Sequence, residues 1–333
     1  MIGLGGISSA HLAGYLAKPS DVAVVAVCDT RPDVLEATAT KLGATPYADY
    51  DELISDSRVH AVDITLPHNL HYRVALKALD AGKHVIVEKP IAPTAKQCSE
   101  LIARAAEKGV VFTAAENTPF VTAYRYVEQL LERETVGKLR MVRTFIYGSE
   151  VSRLTNTSLW KGKRDGSNGG AIMDAGPHSF YLIKWLFGEF DSLQATCWKL
   201  VEESEVEDNA VVCGRLQNGG LFVSEFSFTA EIPWGERFEV YGDKGSIIVD
   251  QLVDPPIKVY RGKDNYDSEP VTEAKYDPRG WKFESIGAGV RDFASAIRER
   301  REPRVNPLDA TYGVYIAEKA YESIELGGKS IEV

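Results

Sequence analysis

The chain has little cysteine, no excess of positive charge and no long apolar run, and each shortage closes off a class of function. Its four cysteines, Cys28, Cys98, Cys197 and Cys213, lie far apart and form no C-x-x-C pair. Neither a thiolate zinc site nor a disulfide framework is indicated, and a reducing compartment fits. Acidic residues outnumber basic ones, 48 against 38, for a formal net charge of -10. A nucleic-acid partner, which needs concentrated lysine and arginine, is therefore not expected. No apolar stretch approaches the length of a bilayer span, and no basic segment followed by an apolar core stands at the start. The reading is a cytoplasmic protein with no membrane partner. No internal repeat or low-complexity tract interrupts its 333 residues.

What is present is a hydrophobic content of 44%, enough for two cores at this length. Residues 1 to about 116 alternate short apolar runs (22–27, 61–66, 84–87 and 110–114) with helical spacing over 33–42, 70–81 and 94–108. Alternation of this kind predicts a doubly wound parallel α/β sheet. Gly43 and Gly82 read as helix ends and Thr94 as a helix start. After Asn117 the pattern changes. A helical stretch at 119–133 is followed by strand-like runs at 141–147, 194–200, 210–216, 221–228, 238–241 and 246–249, with turns such as Asn218-Gly219-Gly220 between them. Residues 251–280 read as loops with short strands, and 286–300 and 308–326 as helices. The expected domains are 1–117 and 118–333, the second α+β with hairpins.

Gly3-Leu4-Gly5-Gly6-Ile7-Ser8 supplies two glycines of a dinucleotide fingerprint, with Ser8 where a third glycine or alanine is usual. The residues after it can form a helix whose N-terminal amides would face a pyrophosphate, and the next strand ends at Cys28-Asp29. An aspartate there accepts hydrogen bonds from the adenosine ribose and repels a 2′-phosphate, which favours NAD. Arg31 could pair with such a phosphate, so NADP stays open. Only Met1 and Ile2 precede Gly3, short of the five or six residues of a usual strand. An added upstream strand segment is accordingly expected to raise thermal stability and cofactor affinity.

Two further clusters stand out. His84-Val85-Ile86-Val87-Glu88-Lys89-Pro90 puts a lysine directly after an apolar strand and stops the strand with a proline. That lysine falls at the mouth of the sheet, where open α/β folds bind ligands. Downstream, Asp174-Ala175-Gly176-Pro177-His178 places an acid and a histidine four residues apart, with Pro177 suited to opening a helix through Phe187. Asp174 would then sit in the entry turn, orienting the imidazole, binding a hydroxyl or capping the helix. Trp160 and Lys161 combine an aromatic platform with a cation and are candidate substrate contacts, as are Asn117 and Tyr147; a structural role is equally open for each. His68 and His71 form an H-x-x-H pair, but without clustered carboxylate or cysteine partners no metal site is expected.

Taken together, these motifs resemble those of the glucose-fructose oxidoreductase/inositol dehydrogenase/rhizopine catabolism (Gfo/Idh/MocA) family of NAD(P)-dependent oxidoreductases. The resemblance runs through Gly3–Gly6, Pro67-His68-Asn69-Leu70-His71, the stretch from Ala81 to Pro90, and Gly169-Gly170 through His178. It implies a Rossmann domain followed by an open, mainly antiparallel sheet, and oxidation of sugars, cyclitols or related polyols, or reduction of the matching carbonyls. Lys89, Asp174 and His178 match the family's catalytic positions, and Lys89, Asn117, Trp160, Lys161, Asp174 and His178 are the expected substrate contacts. The expected cofactor contacts are Gly3, Gly5, Gly6, Ile7, Ser8, Asp29, Arg31, Thr65, Pro67, His71, Glu88 and Lys89. The resemblance also implies a homodimer or homotetramer assembled through the second domain's sheet.

The residue types suit the chemistry. Oxidising a secondary alcohol removes a hydroxyl proton as hydride leaves, and histidine most easily offers a base near neutral pH. His178 is read as that base and Lys89 as the cation that stabilises charge on the same oxygen. Two alternatives stay open: a transient redox step within epimerisation or glycoside cleavage, with NAD retained, and a non-catalytic NAD- and sugar-binding regulator. Lys89 with Asp174 and His178 argues against the regulator, which has no need of a proton-transfer cluster.

Overall fold

Apolar runs too short for helices become parallel strands in the first part of the chain. In the computed structural model, which describes residues 1–18, 22–261, 266–269, 277–278 and 280–333, the order is α1 (Ser8–Leu16), β1 (Ala26–Cys28), α2 (Pro32–Leu42), β2 (Thr45–Tyr47), α3 (Tyr50–Ser55), β3 (Ala61–Ile64), α4 (His68–Asp80), β4 (His84–Val87), α5 (Ala95–Lys108) and β5 (Phe112–Ala114). Strands β1 and β2 pair in parallel, as do β3, β4 and β5. Ile2 joins the two groups by parallel bridges to Cys28 on one side and Ile64 on the other. The order is therefore β2-β1-Ile2-β3-β4-β5, the doubly wound parallel arrangement expected. Thr94 caps α5 by accepting from the Gln97 N–H at 3.2 Å, and Gly43 ends α2 in the left-handed conformation. Gly82 follows α4 with a positive φ of 70°. The short β2 and α3 were not read from the sequence.

The first compact unit comprises Met1–Asn117 and Phe283–Thr311. Residues 283–311 thus pack with it, although they fall within the 118–333 expected for the second domain. Their helix, α10 (Trp281–Glu299), brings Val290, Phe293 and Ile297 into the core cluster formed by Met1, Leu4, Tyr15, Val27 and Ile86. The crossing of α1 and α10 is close: a Cβ on Gly14 would stand 2.7 Å from the Gly287 Cα.

The second unit comprises Thr118–Lys282 and Tyr312–Val333. It holds α6 (Thr122–Glu132), β6 (Leu139–Tyr147), α7 (Val151–Leu154), α8 (Arg164–Ser167), α9 (Ala171–Phe187), β7 (Phe190–Trp198), β8 (Asn209–Leu216), β9 (Leu221–Ser227), β10 (Gly235–Gly242), β11 (Gly245–Asp250), β12 (Ile257–Arg261), β13 (Tyr266–Glu269), most of α11 (Pro307–Glu325) and β14 (Ile331–Glu332). Among the described residues, nine strands form one sheet in the order β13-β12-β11-β10-β6-β9-β8-β7-β14. Only β6 with β9 is parallel; the other pairings are antiparallel. The loops and strands expected over 251–280 lie partly outside the described residues.

Helix α9 covers one face of this sheet. Phe180 meets Phe190 and Phe226 edge-on, each with ring centroids 6.0 Å apart, and Phe190 meets Phe222 at 4.5 Å. Beside them, the Ser179 hydroxyl donates to Thr144 Oγ1 at 2.8 Å, and Thr144 in turn donates to Ser224 at 2.9 Å. Among the described residues no helix is long and apolar enough to cross a membrane.

A Gly14→Val variant forces its side chain into Gly287 and Val290. The expected outcome is a loss of about 1–3 kcal/mol of stability, read by chemical denaturation, with wild-type stability refuting the close crossing.

Candidate active site

In the first unit the glycine loop is positioned by backbone. Gly3 has φ 91°, and a Cβ there would lie 2.6 Å from the Thr65 carbonyl oxygen. Only glycine fits that approach. The Gly3 N–H donates to Cys28 O at 2.9 Å, and the buried Thr65 hydroxyl donates to Gly3 O at 2.7 Å. A Cβ on Gly5 or Gly6 would meet no protein atom within 4 Å, so internal packing does not require glycine at either position. Ile7 stands at the N-cap of α1, and Ser8 turns its hydroxyl back onto Gly5 O at 2.6 Å. A separate close approach, of α1 to α10 at Gly14, was missed by the sequence reading.

Asp29 follows β1 and faces this loop. Its carboxylate accepts from the Leu4 N–H at 2.8 Å and the Arg31 N–H at 2.9 Å, and pairs with the Arg31 guanidinium at 3.0 Å. Burial opposes its charge, but the Arg31 and backbone donors prevail and hold it below the usual carboxylate range. Arg31 also donates to Leu4 O at 3.1 Å. Glycines free of internal packing, a helix start and an ionised aspartate at the strand end fit an NAD moiety.

Lys89 stands half-buried directly after β4, and its peptide bond to Pro90 is cis. Its neighbours are committed within the chain. Glu88 is buried, accepting from Lys89 N at 3.0 Å and contacting His11 Nε2 at 2.9 Å. His71 is fully buried, with Nδ1 2.7 Å from Pro90 O and Nε2 2.8 Å from Leu66 O. Burial depresses its pKa. Both ring nitrogens thus face backbone carbonyls inside the chain, and the neutral ring donates to one of the two. Pro67 is the N-cap of α4. Asn117, expected at the substrate, is buried and donates to Ser285 Oγ at 2.8 Å.

In the second unit, Asp174 and His178 lie one turn apart on α9, both buried. The helix begins at Ala171 and Pro177 lies inside it, which corrects the expectation that Pro177 opens it. The cause is a distant cap. The Glu207 carboxylate accepts from the Gly170 N–H at 3.1 Å and the Ile172 N–H at 3.0 Å, and from the Tyr321 hydroxyl at 2.7 Å. It satisfies the helix N-terminus from 37 residues away. Asp174 Oδ2 lies 2.9 Å from Lys161 Nζ, which is also 3.1 Å from Glu150 Oε2. The Lys161 ammonium stands 5.3 Å from the Phe228 ring centroid. Tyr147, at the end of β6, is buried, which pushes its phenol up to about 12. Trp160 packs closely against Gly166.

Glu150 and His11 also escaped the sequence reading. Glu150 had no motif to mark it. His11 sits on α1, fully buried, with Nδ1 2.9 Å from Asp63 Oδ2 and Nε2 2.9 Å from Glu88 Oε1. Burial opposes its proton, but the two carboxylates outweigh it and raise its pKa to about 10.

A doubly wound dinucleotide-binding unit joined to a unit with a mostly antiparallel sheet defines the class of protein. The model described as "Oxidoreductase family, NAD-binding Rossmann fold" matches residues 1–116, and the GFO/IDH/MocA C-terminal domain matches 124–248. The chain belongs to the GFO/IDH/MocA oxidoreductase family. It is 25% identical to a levoglucosan dehydrogenase of Pseudarthrobacter phenanthrenivorans, over 90% of this chain and 88% of that one. It is 29% identical to a myo-inositol 2-dehydrogenase of Thermotoga maritima, over 76% and 75% respectively. In fold it is similar to the WlbA dehydrogenase of Bordetella pertussis, solved with NADH and UDP-GlcNAcA (TM-score 0.90, 22% identity, covering 100% of this chain and 96% of that one).

The His11 cluster has a pH signature. Its folded pKa lies above the ordinary 6.5, so its contribution to stability is fully present below that value and is lost as pH rises toward about 10. Melting temperature is expected to fall between pH 7 and 10, and part of that slope is expected to vanish in His11→Asn. Identical slopes in the two proteins would show that His11 does not hold the proton.

Proposed function

We propose that the protein oxidises a secondary alcohol of a sugar, cyclitol or related polyol with NAD, or reduces the matching carbonyl. The observation that carries this reading is the placement of Lys89, half-buried immediately beyond β4 of an NAD-binding unit, with its backbone held by Glu88. The levoglucosan and inositol dehydrogenases among its relatives support the substrate class.

The loop Gly3–Ser8 would hold the pyrophosphate, with Gly5 and Gly6 allowing its close approach, the N-terminus of α1 facing it and Thr65 fixing Gly3. Asp29 would accept from the adenosine ribose, which favours NAD over NADP, with Arg31 holding Asp29 ionised. NAD, when bound, supplies the hydride acceptor. His178 takes the hydroxyl proton as the C–H hydride departs and a carbonyl forms. Lys89 donates a hydrogen bond to the same oxygen and stabilises its developing charge. Asp174, paired with Lys161, orients a neighbouring substrate hydroxyl. Glu207 acts at one remove by fixing the start of the helix that carries Asp174 and His178.

The proposal extends to a cytoplasmic homodimer or homotetramer assembled through the sheet of the second unit. Trp198, Val211 and Leu221 are exposed on adjacent strands and share one face in the β7–β8–β9 register, which supports that surface.

A screen of levoglucosan, myo-inositol, D-glucose and other glycosides with NAD and NADP, read by absorbance of the reduced nicotinamide, tests the reading. NADH formation with at least one polyol is expected. Conversion without net NADH, with cofactor retained through purification, would instead mark a redox-assisted epimerase or glycosidase, and no turnover in either direction a regulator. Lys89→Met and His178→Ala are each expected to lower kcat by about 100-fold or more, with NAD affinity little changed. Near-normal turnover in both would refute the assigned roles.

A further inference from the structure

Two buried ionisable side chains of the first unit, His11 and Asp63, have no part in the chemistry just described, and His11 joins Asp63 to Glu88. Both His11 ring nitrogens face carboxylates, Nδ1 at 2.9 Å from Asp63 and Nε2 at 2.9 Å from Glu88. Ionised carboxylates only accept, and a neutral imidazole has one N–H. Both contacts are satisfied at once only by the imidazolium. A charge buried in this way is retained when it is paired on both sides, and loss of one partner is strongly unfavourable.

The three residues come from three elements. His11 is on α1, the helix that leaves the glycine loop; Asp63 is in β3; Glu88 follows β4. Tyr15, one turn beyond His11 on the same helix, hydrogen-bonds Asp63 as well. The second oxygen of Glu88 accepts the backbone N–H of Lys89 at 3.0 Å. Contacts therefore run without a break from the helix at the glycine loop, through His11 and Glu88, to the backbone of the lysine.

We propose that His11 is the positioning residue for Lys89: by holding Glu88 it fixes the backbone that aims the lysine, and it ties that lysine to the helix that starts at the NAD loop. This rests on the reading of Lys89 as the group that contacts the reacting oxygen. Small displacements of such a group cost turnover far more than affinity, because the reacting geometry is sharper than the binding geometry.

The test uses the full chain. In His11→Asn, kcat with the polyol that turns over best among myo-inositol, levoglucosan and D-glucose is expected to fall by about tenfold or more. KM for that polyol and NADH affinity, read by fluorescence titration, are expected to stay within about threefold. A substrate-independent measurement accompanies it: labelling of Lys89 by trinitrobenzenesulfonate, followed by peptide mass spectrometry, with exposed Lys108 as the internal control. The rate at Lys89 is expected to change severalfold while that at Lys108 does not. Should His11→Asn fail to fold, both measurements are read in Glu88→Gln, which keeps an acceptor for the Lys89 N–H but removes the charge that His11 faces. Unchanged Lys89 labelling, or a loss of kcat matched by an equal loss of NADH affinity, overturns the proposal. A fully active Lys89→Met would overturn the underlying reading instead, with His11 left a structural residue.

Discussion

Four backbone hydrogen bonds make one parallel sheet of two small ones. Ile2 N donates to Asp63 O at 2.8 Å, Thr65 N to Ile2 O at 2.9 Å, Gly3 N to Cys28 O at 2.9 Å and Cys28 N to Met1 O at 2.9 Å. Met1, Ile2 and Gly3 thereby occupy the place of a central strand. Everything assigned to the cofactor follows from that closure. It sets where the chain turns at Gly3, so that Leu4 N meets Asp29 and Ser8 can start a helix. It also brings β3 and β4 beneath that helix, where Asp63 and Glu88 meet His11.

The two units use carboxylates in the same way. In the first, Asp29 gathers two backbone N–H groups and a guanidinium, and Glu88 gathers a backbone N–H and an imidazole. In the second, Glu207 gathers the orphan N–H groups of α9 with a tyrosine hydroxyl. Its carboxyl is pushed up by burial, and these donors pull it back only in part. An acid whose acceptor capacity is filled by fixed donors orients its neighbours more rigidly than a solvated one. That is how Asp174, His178 and Lys89 come to sit on well-anchored backbone.

Sequence legibility followed the range of the interactions. Strand β4 was readable to the residue, because Val85, Ile86 and Val87 form an apolar run closed by Lys89 and Pro90. The Thr94 cap and the Gly43 stop were readable because each acts within four residues. The antiparallel hairpins of the second unit announced themselves by turn glycines. Pro177 misled: its local preference is for a helix start, and the Glu207 cap that starts α9 six residues earlier lies far along the chain. His11 was silent for the same reason, since its partners are 52 and 77 residues away. Asn117, His71 and Lys161 were legible as notable residues, but their hydrogen-bond partners were not.

The crossing of α1 with α10 brings backbone to backbone at Gly14 and Gly287. No layer of side chains lies there to absorb a change, so the two positions and Val290 form a set that drift in sequence can alter only together. Helix α1 starts at the glycine loop and α10 lies more than 260 residues further along the chain. The tolerance of the helix that leaves the cofactor loop is therefore partly written in the C-terminal half of the protein.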